Sequence, residues 1–172
     1  QIGDSGVVID NNTNAKICDI FDTQKNNSTF FHFAKNFDLD LDVGKIFKIE
    51  VNHTKRKKIK SNHTSTHLLH EVLRMTLGDH VKQKGSLVSE KKLRFDFTNN
   101  TPIENKQLRL IENIMNNVIR ENLKVSIRFT EYEKAISEGA IGLFGEKYPE
   151  KVRVVTFKSD KKNFNFSSSE LC

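Results

Sequence analysis

The sequence predicts an α+β protein: a small β-barrel-like subdomain over residues 1–52, then a mainly antiparallel sheet with helices packed on one face over residues 53–172. Three observations predict it. Short β-favouring runs separated by Asn-rich turns fill the first 52 residues, a long helical stretch follows, and after it the order is two strands, helix, strand, short helix, strand. With 13 Phe but only 8 Gly and 2 Pro in 172 residues, the chain can build a core and is too poor in breakers for a linker or a disordered segment.

The first strands are expected at Gly6–Asp10, 15–22 and 29–33, separated by Asp10-Asn11-Asn12 and Asn26-Asn27. A fourth, over 45–51, alternates Ile46, Phe47, Ile49 and Val51 after Gly44. Helical character begins near Thr54 and is firm from Ser61, where Ser61 or Asn62 can cap the first amides; Gly78 supplies the left-handed stop. Segments 81–88 and 91–98 read as a hairpin, with Leu93, Phe95 and Phe97 on one side of its second strand. Thr101 as cap, Pro102 in the first turn and Glu104 three residues on then announce a helix whose core face is Leu108, Ile111, Met115, Val118 and Ile119. A strand over 125–130, a short helix over 131–137, a turn through Gly139, Gly142 and Gly145, and a strand over 152–157 complete the order. There is no internal repeat.

The net charge of +6 hides an asymmetry. Residues 1–52 carry five Lys against eight acidic residues, a balance of −3, leaving 23 basic against 14 acidic, or +9, in the remaining 120. The basic residues cluster at Lys55, Arg56, Lys57, Lys58 and Lys60, at Lys82, Lys84, Lys91, Lys92 and Arg94, and late at Lys158, Lys161 and Lys162. Such clustering fits a nucleic-acid partner, and equally a solvated surface in a Lys-rich chain; charge alone does not separate the two. No run of about 18 apolar residues and no signal-peptide pattern occurs, so a soluble, cytoplasmic protein without membrane contact is expected. Two cysteines almost a chain length apart form no disulfide framework, and Cys18 reads as a small buried residue. Gln1 is not an initiator and the chain stops on Cys172, which reads as a piece of something longer.

At 100° per residue, His63, His67, His70 and Arg74 fall on one helical stripe, away from Leu69, Val72 and Leu73. Histidines at i and i+4 can present two imidazoles to one cation. Two ligands do not make a site, and an exposed histidine row is the alternative. Thr64 stands where the HExxH arrangement needs its Glu, so that protease chemistry is excluded. The only cysteine in the same half of the chain is Cys172, and chemistry alone leaves a His63, His67, Cys172 site open. No phosphate loop, nucleophile elbow or dinucleotide glycine pattern is present, which excludes a nucleotide-hydrolysing chain.

The ordered segments Asn62-His63-Thr64-Ser65-Thr66-His67-Leu68-Leu69-His70, His80-Val81-Lys82-Gln83-Lys84-Gly85-Ser86-Leu87-Val88, Leu93-Arg94-Phe95-Asp96-Phe97, Gly142-Leu143-Phe144-Gly145-Glu146-Lys147-Tyr148 and Ser169-Glu170-Leu171-Cys172 closely resemble the editing domain of alanyl-tRNA synthetase. Gln1-Ile2-Gly3-Asp4-Ser5-Gly6 and Asp22-Thr23-Gln24-Lys25 resemble the small β-barrel that precedes it. The paired histidines are shared with the threonyl-type editing domain and with free-standing editing proteins. The LFGEKY segment and the β-barrel opening favour the alanyl family.

The resemblance implies zinc held by His63, His67 and Cys172, with the family's fourth ligand, a His four residues after the Cys, beyond the end of this chain, just as two family glycines precede Gln1. It implies hydrolysis of Ser-tRNA(Ala) and Gly-tRNA(Ala), with Thr66 and Gln83 in the editing pocket. Taken alone, these two read as a helix surface residue and a solvent-facing strand residue. His70 lies outside the family's ligand set and reads as packing or as a contact behind the ligands. The implied partners are the tRNA(Ala) acceptor end, the seryl or glycyl moiety and the rest of the synthetase chain in cis, where ATP-dependent ligation belongs. Lys57, Lys58, Lys60, Lys82, Lys84 and Arg94 would meet the acceptor-end phosphates. The alternatives are a tRNA-binding module with a purely structural zinc, or a threonyl-type editing domain.

Overall fold

The structure, a computed structural model, describes residues 1–37, 43–142, 147–161 and 164–172. The chain divides into two compact units, Gln1–His63 with Leu87–Leu93, and Thr64–Ser86 with Arg94–Cys172.

The first unit is built on strands β1 (Gly6–Asp10), β2 (Lys16–Asn26), β3 (Thr29–Lys35) and β4 (Phe47–Val51), antiparallel in the order β3-β2-β1-β4. The turn after β1 forms because the Asp10 carboxylate accepts the Asn12 and Thr13 amides, each at 2.8 Å, and these bonds hold its pKa below the ordinary value. Asn27 takes φ 53° between β2 and β3, a left-handed conformation that asparagine tolerates. Gly6 is required by space: a Cβ there would lie 2.1 Å from the Glu50 carbonyl of the neighbouring strand. Val8, Ile17, Cys18 and Ile20 form the core, and Cys18 is fully buried, as its sequence context suggested. Burial pushes its thiol pKa up. Among the described residues the sheet is open, with β3 and β4 as its edges, so the barrel is not closed.

Helix α1 (His53–Leu77) starts within one residue of the expected onset near Thr54, but neither Ser61 nor Asn62 is its cap. Asn52 is the residue that caps it: its side-chain oxygen accepts the Lys55 amide and its carbonyl the Arg56 amide, both at 2.9 Å. Ser61 instead donates back to the Lys57 carbonyl, and Asn62 donates to the Ser89 carbonyl. Gly78, at φ 115°, ends the helix as expected. Strands β5 (Gln83–Val88) and β6 (Leu93–Phe97) form a two-stranded sheet, the expected hairpin.

In the second unit, α2 (Asn105–Arg120) is capped by Glu104 rather than Thr101, and the box is completed by Gln107. Glu104, expected at N3 of a helix capped by Thr101, is itself the N-cap, so the helix begins three residues later than predicted. Of the expected core face, Ile111 and Val118 are buried and Met115 packs beside them, while Leu108 and Ile119 flank the stripe and stay about half exposed. Strands β7 (Lys124–Glu131), β8 (Lys151–Lys158) and β9 (Ser167–Leu171) form an antiparallel sheet in that order, with α3 (Tyr132–Ser137) between β7 and β8. Strand β8 alternates its faces. Val155 and Phe157 join Leu68, Val72 and Leu73 of α1 and Ile111 and Val118 of α2, whereas Val152 and Val154 join Ala135 of α3, Ala140 and Leu171. The two long helices therefore share one face, as predicted for the layer, and the short α3 supports the other. Gly145, residues 143–146 of the LFGEKY segment and Lys162 lie outside the described residues.

Candidate metal centre

Helix α1 and the end of strand β9 bring the site together. In α1, one helical turn separates His63, the last residue of the first unit, from His67, so both rings leave the same side of one continuous helix. Strand β9 is held by β8, with Val155 opposite Glu170 and Phe157 opposite Ser168, and the Cys172 amide extends the ladder by donating to the Arg153 carbonyl at 2.9 Å. Alternation along this strand turns Ser168, Glu170 and Cys172 to the same face. The result is convergence: the ligand atoms of His63, His67 and Cys172 all lie within 4.8 Å of one another. Two imidazoles and a thiolate in that compass suit a tetrahedral zinc ion, which prefers nitrogen and sulfur donors.

Glu170 lies behind these ligands. Its Oε2 is 2.5 Å from His67 Nδ1 and its Oε1 is 2.9 Å from His70 Nδ1. Burial would lower the His67 pKa, but hydrogen bonds to Cys172 and Glu170 and the charges of both outweigh it and raise the value to about 9. For Glu170 burial works upward, and the hydrogen bonds from His67 and His70 prevail, so its pKa falls below the ordinary carboxylate value. The expectation that the histidine row lies off the apolar face fails at His70, which is 2% exposed and 5.3 Å, ring to ring, from Phe95. The central turns of α1 are enclosed on most sides, so its polar stripe is an interior one.

Thr66 is likewise buried, not a surface residue. Gln83, at the start of β5, is half-buried and lines a cavity of about 150 Å³ with His70, Arg74, Val81, Lys82, Ile141 and Gly142. Arg74 is held by Asp79 at 2.7 Å. Lys57, Lys58 and Lys60 on α1, Lys82 just before β5, Lys84 on β5 and Arg94 on β6 are all exposed, and the Arg94 guanidinium pairs with Asp96 at 3.1 Å. Glu170 is the residue that sequence reasoning assigned no part. The signal that could have found it is period two: in a strand ending on a candidate ligand at 172, residue 170 shares the ligand's face.

No family model matches the chain. Curated relatives match it along its length. It is 41% identical over 174 residues to an alanine--tRNA ligase of Parvibaculum lavamentivorans, covering 100% of this chain and 19% of that protein. The corresponding enzyme of Christiangramia forsetii is 43% identical over 91% of this chain and 18% of its own length, and that of Pseudomonas entomophila is 39% identical over 100% and 19%. These sequence matches make the chain a segment of an aminoacyl-tRNA synthetase. It belongs to the alanine--tRNA ligase family and spans about 19% of the length of the relatives it matches.

Proposed function

We propose that this chain is the editing part of an alanine--tRNA ligase, a cytoplasmic deacylase that hydrolyses the aminoacyl ester of Ser-tRNA(Ala) and Gly-tRNA(Ala). The observation that carries the reading is the convergence of His63, His67 and Cys172 within 4.8 Å, from one helix and one strand of an alanine--tRNA ligase relative.

The need for such a site is physical. A synthetic pocket that admits alanine cannot exclude the smaller glycine by size, and rejects serine weakly because one added hydroxyl costs little, so a second hydrolytic sieve is the remedy. A cavity of about 150 Å³ with Gln83 and His70 in its wall suits a small polar side chain rather than a large apolar one. Gln83 and Thr66 are the catalytic residues of this reading, offering hydrogen bonds to the seryl hydroxyl and the ester. Water attacks that ester without a protein nucleophile. His63, His67 and Cys172 would hold zinc, whose chemistry when bound is to orient the aminoacyl end or polarise a water. Lys57, Lys58, Lys60, Lys82, Lys84 and Arg94 attract acceptor-end phosphates, a contribution that falls as salt rises.

The test is deacylation of Ser-tRNA(Ala) by the wild type, Gln83→Ala and His67→Ala. Hydrolysis by the wild type that falls about 100-fold or more in either variant supports the reading. A folded, zinc-loaded wild type that binds tRNA(Ala) and leaves the ester intact replaces it with a tRNA-binding module. Equal hydrolysis of seryl esters on alanine and threonine tRNAs removes the alanyl specificity.

A further inference from the structure

Glu170 is a carboxylate buried on a strand that buries Leu171 beside it, in a position where an apolar side chain would cost nothing in desolvation. Its two oxygens are both engaged, one with His67 Nδ1 at 2.5 Å and the other with His70 Nδ1 at 2.9 Å. Residues 67 and 70 stand three apart on α1, so a single carboxylate spans neighbouring rings of one helix face. An ionised carboxylate only accepts, so each ring must give it an N–H from Nδ1. That leaves Nε2 as the nitrogen His67 can turn towards Cys172 and His63.

We propose that Glu170 is the positioning residue of this centre: it fixes His67 with its proton on Nδ1, aims Nε2 at the cation, and secures His70 beside it in the same orientation. The proposal rests on the reading of His63, His67 and Cys172 as a ligand set and adds to it a residue that is not a ligand. Shape matters as much as charge. Aspartate, one methylene shorter, would hold the same two oxygens back from the rings. Glutamine offers one acceptor and one donor, so it satisfies one Nδ1–H and confronts the other with an N–H, whereas alanine satisfies neither.

The experiment is a cobalt(II) titration of the 172-residue chain as wild type, Glu170→Gln, Glu170→Ala and Cys172→Ala, read by the thiolate-to-cobalt absorption band and the d–d bands, with circular dichroism melts of each metal-free protein. The wild type is expected to show the thiolate band and Cys172→Ala to lose it. Cobalt affinity is expected to fall about 10–100-fold in Glu170→Ala, with Glu170→Gln between it and the wild type and with shifted d–d bands. A Glu170 that served packing alone would lower the melting temperature and leave the affinity and spectrum of the folded protein unchanged; that result overturns the proposal while the wild-type band preserves the ligand set. Should Glu170→Ala fail to fold, Glu170→Gln decides by the same criteria. A folded wild type that gives no thiolate band overturns the ligand set, and the positioning role with it.

Discussion

Among the described residues, strands β3 and β9 are each the last strand of an antiparallel sheet, and their chemistry is inverted. β3, Thr-Phe-Phe-His-Phe-Ala-Lys, is the more apolar, yet Phe30, Phe31 and Phe33 are 60%, 48% and 42% exposed. β9, Ser-Ser-Ser-Glu-Leu, has the composition of a loop, yet Ser168 and Glu170 are 1% and 5% exposed. Composition therefore does not decide which edge is buried; the partner does. β9 is covered by α1, whose His67 and His70 satisfy its carboxylate, and this lets a polar strand occupy an interior. Each unit supplies an instance of the rule that an edge takes its character from what lies against it.

The contrast can be broken by mutation. Phe166→Ala, immediately before β9, removes a ring that is 2% exposed and is expected to cost about 3–5 kcal/mol in urea unfolding. Saturating zinc, at a hundredfold excess over its dissociation constant, should stabilise the second unit by about 2.7 kcal/mol. Hydrogen exchange would then slow at β8 and β9 amides, not at β2 and β3, and chelator would reverse it; slowing in β2 and β3 alone would place the bound metal elsewhere. Gly6→Ala should destabilise the first sheet by about 1–3 kcal/mol, because its new methyl group meets the Glu50 carbonyl, and the exchange of β4 amides reports it. Asn52→Ala, which removes the cap of α1, should cost about 1 kcal/mol in the thermal melt. The smallest effect is Phe30→Ala, within about 0.5 kcal/mol; a loss comparable to that of Phe166→Ala would abolish the distinction between the two edges.

Much of this was legible in the residues. The four strands of the first unit, the hairpin, both long helices and the burial of Cys18 follow from alternation, turn chemistry and helical period. β9 did not, because serines carry little β-propensity and the strand exists by pairing with β8. The onset of α1 near Thr54 was legible but its cap was not, because the Lys-rich first turns have no apolar period to fix the boundary and Asn52 stood three residues before Lys55 unread. At the site, the i, i+4 histidines were visible, whereas the approach of Cys172 depends on the register of β8 and β9, which no local pattern encodes. The interior position of Thr66 and His70 was hidden for a related reason. Hydrophobic periodicity assigns one wet side to a helix, and α1 has its middle turns walled in.

The bond between Glu170 and His67 closes a loop of 103 residues. Loops of that length form late, since their ends must find each other against chain entropy. During synthesis His67 leaves the ribosome 103 residues before Glu170, so the imidazoles of α1 must wait for the strand that brings the carboxylate and the thiolate to them.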